Sequence, residues 1–466
     1  MKKLLISIAV GSALLIACPP GMAADNAPPK KEEFLTLEEF VRKAAKSDTE
    51  FEAILIEELR LKYTRRLALP APDLVLSVRQ EHNVLLYDDD REEPATRVGL
   101  SKLFPISGTE LSAEFSATPS STSDTHNSEI TFSISQPIAR NAFGRTTRLL
   151  DRIVGLENDI ARHQIVEAYE DYLASIMIAY HSWQECWQNL QIGRSSYEEN
   201  LKLLENVKKR QANQIAKPID VNKVTLQVLA KQEMLIVHEE DYKKELTAIR
   251  TILRHNGGTE LIPRDDGTPP PGDIVFQKAF TAFLSDSRTF RILELLENKS
   301  SLEVDREADD LLPSIDLVAG TSSRGEEYDL DSSDETVFIG IDMEWPFPNS
   351  VKRAELENAR ITLRRAEIDR ESARYRLHTG IKSLFHELRK EKRLIEVAAK
   401  KIELAKSILK DETENYSFGK VTLNDYISAV NTLDSQRFNR IQHEARYRKL
   451  MTEWKRLTDR LITKPK

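Results

Sequence analysis

Few residues of this 466-residue chain are spaced to do chemistry. His181 and Glu185 stand four apart in a helical pattern, as two ligands of a divalent metal would. Two ligands without a third make a poor site, so no metal is expected there. Cys186 sits in "HSWQECWQ", a helical, aromatic setting that suits packing rather than redox work. Cys18 follows Leu15-Ile16-Ala17, the spacing of a bacterial cysteine that is acylated and becomes the first residue. The chain contains no H-E-x-x-H, no Gly-rich phosphate loop and no nucleophile elbow. Neither catalysis nor a cofactor is expected.

The elements around these residues define the chain better. Of all residues 30% are charged and 40% hydrophobic, with only 16 Gly and 19 Pro, which suits long charge-laced helices. The net charge of −8 provides no basic field for nucleic acid. At the N-terminus, Lys2-Lys3 and the apolar run Leu4 to Ala17 form an export signal. Its expected end is residue 23, at Gly21-Met22-Ala23, or residue 17 if Cys18 is acylated. No later segment reaches about 18 apolar residues, so a membrane crossing would need strands.

Strands are present. "ELSAEFSA", "SEITFSIS" and "TVFIGIDMEW" alternate apolar and polar residues, with "DLVLSV" and "SIDLVA" as weaker partners. Such alternation fits a half-buried soluble sheet, and equally a barrel facing lipid outside and water inside. The long polar stretches "NVLLYDDDREEPAT", "PSSTSDTHNS" and "TSSRGEEYDLDSSDE" contrast with the tight turn "FPISGTE", an asymmetry typical of outer-membrane barrels.

After each set of strands a proline precedes a very long helical pattern. Tyr169, Tyr172, Ile176, Tyr180, Trp183, Trp187 and Leu190 form a narrow stripe in the first, and Ile395, Ala398, Ile402, Ala405 and Leu409 in the second. Each pattern is interrupted: at Asn213, with Pro218 and Asp220 as the restart, and at Gly419, with Asp425 as the restart. Matching Asn213 to Gly419 sets the breaks 206 residues apart (419 − 213). The chain therefore reads as a tandem repeat. The first unit is 24–256, with strands in 74–136 and a helical hairpin in 138–256. A Gly/Pro-rich linker, 257–274, separates it from the second unit, 275–466, with strands in 314–345 and a hairpin in 349–463. The hairpins are expected to turn near "HSWQECWQNL" and "FHELRKEKRL". Gly419 is expected at positive φ, and Gly193, in a returning helix, to tolerate a side chain better.

The chain resembles the TolC-like outer membrane efflux proteins from "LTLEEF" to "KLMTEWKRL". Its most specific stretches are "YSFGKVTLNDYISAV" and "SQPIARNAFGR". The resemblance implies a mainly α fold with β, in which long coiled-coil hairpins accompany two strands per half of a shared trimeric barrel. It implies a homotrimer in outer-membrane lipid, with a periplasmic helical tunnel. A periplasmic adaptor and an inner-membrane efflux or secretion transporter would be partners, and nucleic acid would not. The function implied is a passive exit duct of a tripartite efflux pump or type I secretion system. The alternative is a periplasmic adaptor or structural coiled-coil protein docking onto such a channel. The breaks at Asn213, Pro218, Asp220, Gly419 and Asp425 would lie at an equatorial belt. Glu387 and Glu391, which share a helix face, would form an acidic ring at the periplasmic aperture, unless they pair outward with Arg389, Lys390 or Arg393. The chain departs from the pattern in having Asn at the first break, no Gly after Pro348, and an additional hairpin in 97–117.

Overall fold

The computed structural model describes residues 32–85, 91–118, 128–255, 259–264, 287–325 and 334–462, together with 276, 277, 280, 281 and 283. The expected leader, with Cys18, lies outside the described residues, as does most of the expected linker. The chain begins with strand β1 (Glu32–Leu35) and helices α1 (Leu37–Ser47) and α2 (Thr49–Ala68). Thr36 and Glu39 cap α1 reciprocally, each side chain accepting the other's backbone N–H at 3.2 and 3.1 Å.

Four strands follow: β2 (Leu74–Leu85), β3 (Arg91–Phe104), β4 (Thr109–Ala117) and β5 (Ser128–Pro137). Next come α3 (Arg145–Ala212), α4 (Pro218–Leu253) and a short strand β6 (Glu260–Pro263) within the expected linker. The second half contributes α5 (Arg288–Asp310), β7 (Ser314–Gly325), β8 (Asp334–Glu344), α6 (Ser350–Ser417) and α7 (Leu423–Leu457). α3 and α6 each run 68 residues unbroken, roughly 100 Å at about 1.5 Å per residue.

The long strands form one antiparallel sheet, β2-β3-β4-β5-β7-β8. The additional 97–117 hairpin is part of it, so the first half gives four strands and the second two, instead of two each. Antiparallel partners share a face, so the register fixes what each side presents. A single ladder row runs Leu74, Lys102, Leu111, Ile134, Ala319, Ile339. Its face also carries Val78, Val98, Phe115, Phe132, Leu317 and Ile341, while Arg79, Glu114, Ser133, Asp316 and Asp342 take the other. Every strand thus contributes most of its apolar residues to the same side, with Val75, Leu103, Val318 and Phe338 among the exceptions.

At the helical end of the sheet, two asparagines in the left-handed conformation redirect the chain from strand to helix, Asn141 (φ 56°) and Asn349 (φ 57°). The second stands where the resemblance leads one to expect Gly, and its side chain donates to the Leu311 carbonyl at 3.4 Å. Asp309 secures the first, accepting from the Asn141 N–H at 3.0 Å and from the Thr146 hydroxyl. Gly144 admits no side chain, because a Cβ there would meet the Ile106 carbonyl oxygen at 2.1 Å.

The helices stand side by side. Nearer the sheet, α2 and α5 flank α3, and α5 also packs on α6; further away α4 and α7 take those places. At the change-over, Arg288 at the start of α5 bonds Asp459 after α7 and Glu170 on α3. Here β1 and β6 pair in parallel, and with α1 they cover the middle of α3. The Tyr180 hydroxyl lies 2.8 Å from the Leu35 carbonyl oxygen and 2.9 Å from that of Arg264. Phe40, Tyr180 and Trp183 are fully buried; each such side chain contributes on the order of 1.5–3 kcal/mol. The second repeat has its own cluster at this level: Phe276, Phe280 and Phe283 against Ile381, Leu384, Phe385 and Trp454.

His181 lies in this belt, edge-on to Tyr180. Burial, with the nearby Arg448 cation, lowers its pKa to about 4 from an ordinary 6.5. The unfolded chain therefore binds a proton below pH 6.5 that the folded chain refuses until about pH 4. Stability is full above pH 6.5 and falls below it, by about 2 kcal/mol between pH 7 and pH 5 from this group alone. Chemical denaturation in detergent at the two pH values should show that loss, and His181→Gln should abolish most of it. An equal loss in the variant would exclude His181 as the source.

Candidate functional site

The two breaks are the hairpin turns themselves. α3 ends at Ala212 and α4 returns antiparallel beside it, so Trp187 meets Tyr242, ring centroids 5.2 Å apart. They stand 25 and 24 residues from the turn (212 − 187, 242 − 218). α6 and α7 turn likewise between Ser417 and Leu423. The two levels expected from the sequence are therefore exchanged. Asn213, Pro218, Asp220, Gly419 and Asp425 form the far tip, and the aromatic stripe around Trp183 lies in the belt.

Both turns use one device. Ile215 N–H bonds the Arg210 carbonyl at 2.8 Å and Lys420 N–H bonds that of Asn415 at 2.9 Å, closing a Schellman turn around a left-handed residue. That residue is Gln214 (φ 61°) in the first and Gly419 (φ 71°) in the second. Asn213, at φ −85°, is not the left-handed position. The repeat offset is therefore 205 residues (419 − 214), and it also matches Lys217 to Thr422 and Asp220 to Asp425. The Asp220 carboxylate accepts from the Lys217 N–H at 3.1 Å. That of Asp425 accepts from the Thr422 hydroxyl at 2.7 Å and from its N–H at 3.0 Å, and these bonds hold its pKa below the usual carboxylate value. Pro218, at the first turn of α4, gives up no helical bond.

The tips lie together. Leu203, Val207, Val224, Val228 and Leu423 form one cluster, and Arg210 stacks over Tyr416 at 4.7 Å. Just behind it is a group that sequence reasoning misses. Lys231 on α4 bonds Asp434 on α7 at 2.8 Å, both buried, and Ser196 on α3 donates to the same carboxylate. Removing one partner of such a buried pair leaves an uncompensated charge, so it fixes the first hairpin against the second. No local pattern signals it, because the three residues come from three helices.

Glu387 and Glu391 do not reach the tip. Glu391 precedes the end of α6 by 26 residues (417 − 391), roughly 39 Å of helix. It is 2% exposed and bonded to His443 Nδ1 at 2.8 Å, with Lys390 and Arg446 at 3.3 and 3.5 Å. Glu387 lies 3.8 Å from Arg446. Glu391 therefore holds α6 to α7 and is too buried to line a pore, whereas Glu387 keeps 43% of its side chain exposed beside Arg446. Glu185 pairs with Lys449 at 2.8 Å. Burial raises the half-buried Cys186 thiol to about 11, away from reactivity.

The glycines allow a test. A Cβ at Gly193 would meet His238 Cδ2 at 3.2 Å across the α3–α4 contact, so Gly193 is not the permissive position expected. Gly380, inside α6, has open space around it at a helical φ, and Gly419 has open space but positive φ. Gly380→Ala should raise stability by about 1 kcal/mol, and Gly419→Ala should lower it by about 1–2 kcal/mol. Denaturation midpoints that move in the same direction would contradict the left-handed turn at Gly419.

Comparison with known proteins fits this geometry. Residues 282–453 match the model of the outer membrane efflux protein family. No curated protein matches by sequence. Among solved structures, the outer membrane protein VceC from Vibrio cholerae superposes with TM-score 0.69 at 13% identity, over 91% of this chain and 95% of its own. The CmeC outer membrane channel of Campylobacter jejuni gives 0.68 at 12% identity, over 92% and 87%. The open state of the MtrE outer membrane channel of Neisseria gonorrhoeae gives 0.65 at 14%, over 91% and 89%. The chain thus resembles the outer membrane efflux protein family over residues 282–453, within a fold it shares with outer-membrane channels along nine-tenths of its length.

Proposed function

We propose that the chain is one protomer of a homotrimeric duct in the outer membrane, the passive exit of a tripartite efflux pump or type I secretion assembly. One observation carries this reading: a six-stranded sheet with most of its apolar residues on one face and neither edge paired among the described residues, continuous with helices roughly 100 Å long. Val337, Ile339 and Ile341 of β8 are 85, 77 and 70% exposed in the single chain, which suits contact with lipid. Six strands are too few to close a barrel that holds a channel, so neighbouring copies must complete it. The helices point the same way. On α6, Ile361, Ile368 and Tyr375 are exposed at seven-residue spacing, as are Val397 and Leu404, and α4 exposes Ile219, Leu226, Leu229 and Ile236 on the opposite flank. These are the stripes of coiled-coil seams between copies. Trp345 and Phe347, exposed where β8 meets α6, suit the aromatic girdle at the periplasmic interface of the outer membrane.

The distal tips, with Ile215 and Phe418 exposed, are where a periplasmic adaptor would meet the duct, with an inner-membrane transporter beyond it. Energy would come from that transporter, because the sequence has no Gly-rich phosphate loop. An adaptor or free coiled-coil protein has no use for a sheet with an apolar outer face, which counts against that alternative.

The polar face would line the barrel. It carries Glu110, Glu114, Asp316, Asp342 and Glu344, beyond the carboxylates that pair with Arg79 and Arg324. The protein should be a trimer by light scattering in detergent and should form cation-preferring channels in planar bilayers. Asp342→Asn with Glu344→Gln should shift the reversal potential toward zero. A stable monomer would overturn the duct, and an unchanged reversal potential would remove this face from the lumen.

A further inference from the structure

Resting on the duct reading, we propose that β8 of each protomer pairs with β2 of the next in a defined register, closing a barrel of eighteen strands. The occupant of each open edge is a second copy of this chain, for three reasons found in the sheet itself. β2 leaves the helical end and β8 returns to it, so strands from adjacent copies meet antiparallel, as all other neighbours do. Both edges present their apolar residues on the same side, Leu74, Leu76 and Val78 on β2 and Ile339, Ile341 and Met343 on β8. Neither edge has a partner among the described residues, and unpaired backbone is not tolerated in lipid.

The stagger of the sheet selects the register. The ladder row that starts at Leu74, the first residue of β2, reaches β8 at Ile339, and β8 continues to Glu344 toward the helices. The next copy's Leu74 therefore falls near the end of β8. Keeping the apolar faces continuous restricts its partner to Met343 or Trp345, since a one-residue slip reverses the faces. Six strand spacings of about 4.8 Å span roughly 29 Å, and a stagger of four or six residues at about 3.3 Å gives a tilt of roughly 25° or 35°. Barrel strands tilt by about 35–45°, so Leu74 lies opposite Trp345 and Val78 opposite Ile341. Eighteen strands at that tilt enclose roughly 34 Å between backbones, a porin-like width. The size limit for cargo would then be set by the helical tips, not by the barrel.

Cysteine cross-linking in the full-length protein tests the seam, in a Cys186→Ser background. Val78→Cys with Ile341→Cys should give covalent dimers and trimers on oxidation, more than about tenfold above either single variant, because only that pair brings the two Cβ atoms within disulfide reach. Ala113→Cys with Ile341→Cys should give none. It would cross-link instead if β2 and β3 left the sheet and β4 became the edge of a twelve-strand barrel, which would overturn the proposal. An intact trimer cross-linked best by Val78→Cys with Ile339→Cys would overturn the register. Failure of the duct reading itself is distinguishable, because the uncross-linked protein would then be monomeric.

Discussion

A backbone N–H or carbonyl without a partner in hydrocarbon costs several kcal/mol, and this chain leaves a row of them along each of β2 and β8. Only closure into a barrel removes them. With six strands and one apolar face, closure needs other copies of the same sheet. On the duct reading the helices would inherit that arrangement, because α3 and α6 continue from the sheet's ends. The seven-residue stripe on α6 and the apolar flank of α4 are the helical counterpart of the open strand edges.

Inside one protomer, polar contacts are concentrated where elements change over. Asp309 secures the passage from β5 to α3. Arg288, between Glu170 and Asp459, joins α5 to α7 across α3. Lys231 and Asp434 hold one hairpin against the other near the tip, and Glu391 and His443 hold α6 to α7 at mid-height. Between these points the helices rest on apolar seams edged by more exposed pairs such as Lys449–Glu185 and Arg370–Glu297. A buried charge pair tolerates little displacement before it becomes a penalty, so these groups fix the axial register of helices too long to be fixed by packing alone.

Much of this was legible in the sequence. The strands were, because the period-2 alternation in "ELSAEFSA" and "TVFIGIDMEW" is the same property that places them on the sheet's two faces. The tandem repeat and both helix interruptions were, because Pro218, Gly419 and the two aspartates stop and restart a helix by local chemistry alone. Their height was not. A turn that reverses direction and a break inside a straight hairpin use the same caps, and contacts distant in sequence, such as Trp187–Tyr242, distinguish them. The aromatic stripe near Trp183 is equally uninformative by itself, since its partner Phe40 comes from about 140 residues earlier (180 − 40). Gln214 escaped because glutamine carries no signal for positive φ. Asn213, which tolerates that conformation more readily, stands beside it without adopting it.

The sidedness of the sheet carries the whole account, and a scan of β8 measures it directly. Single nitroxide labels at positions 336 to 343 in the reconstituted protein can be compared for collision with oxygen, which concentrates in lipid, and with a nickel chelate, which stays in water. Labels replacing Val337, Ile339, Ile341 and Met343 should favour oxygen, and labels replacing Thr336, Phe338, Gly340 and Asp342 should favour the chelate, alternating with a period of two. Uniform exposure to the chelate, or alternation in the opposite phase, would contradict a membrane-spanning sheet with its apolar face outward.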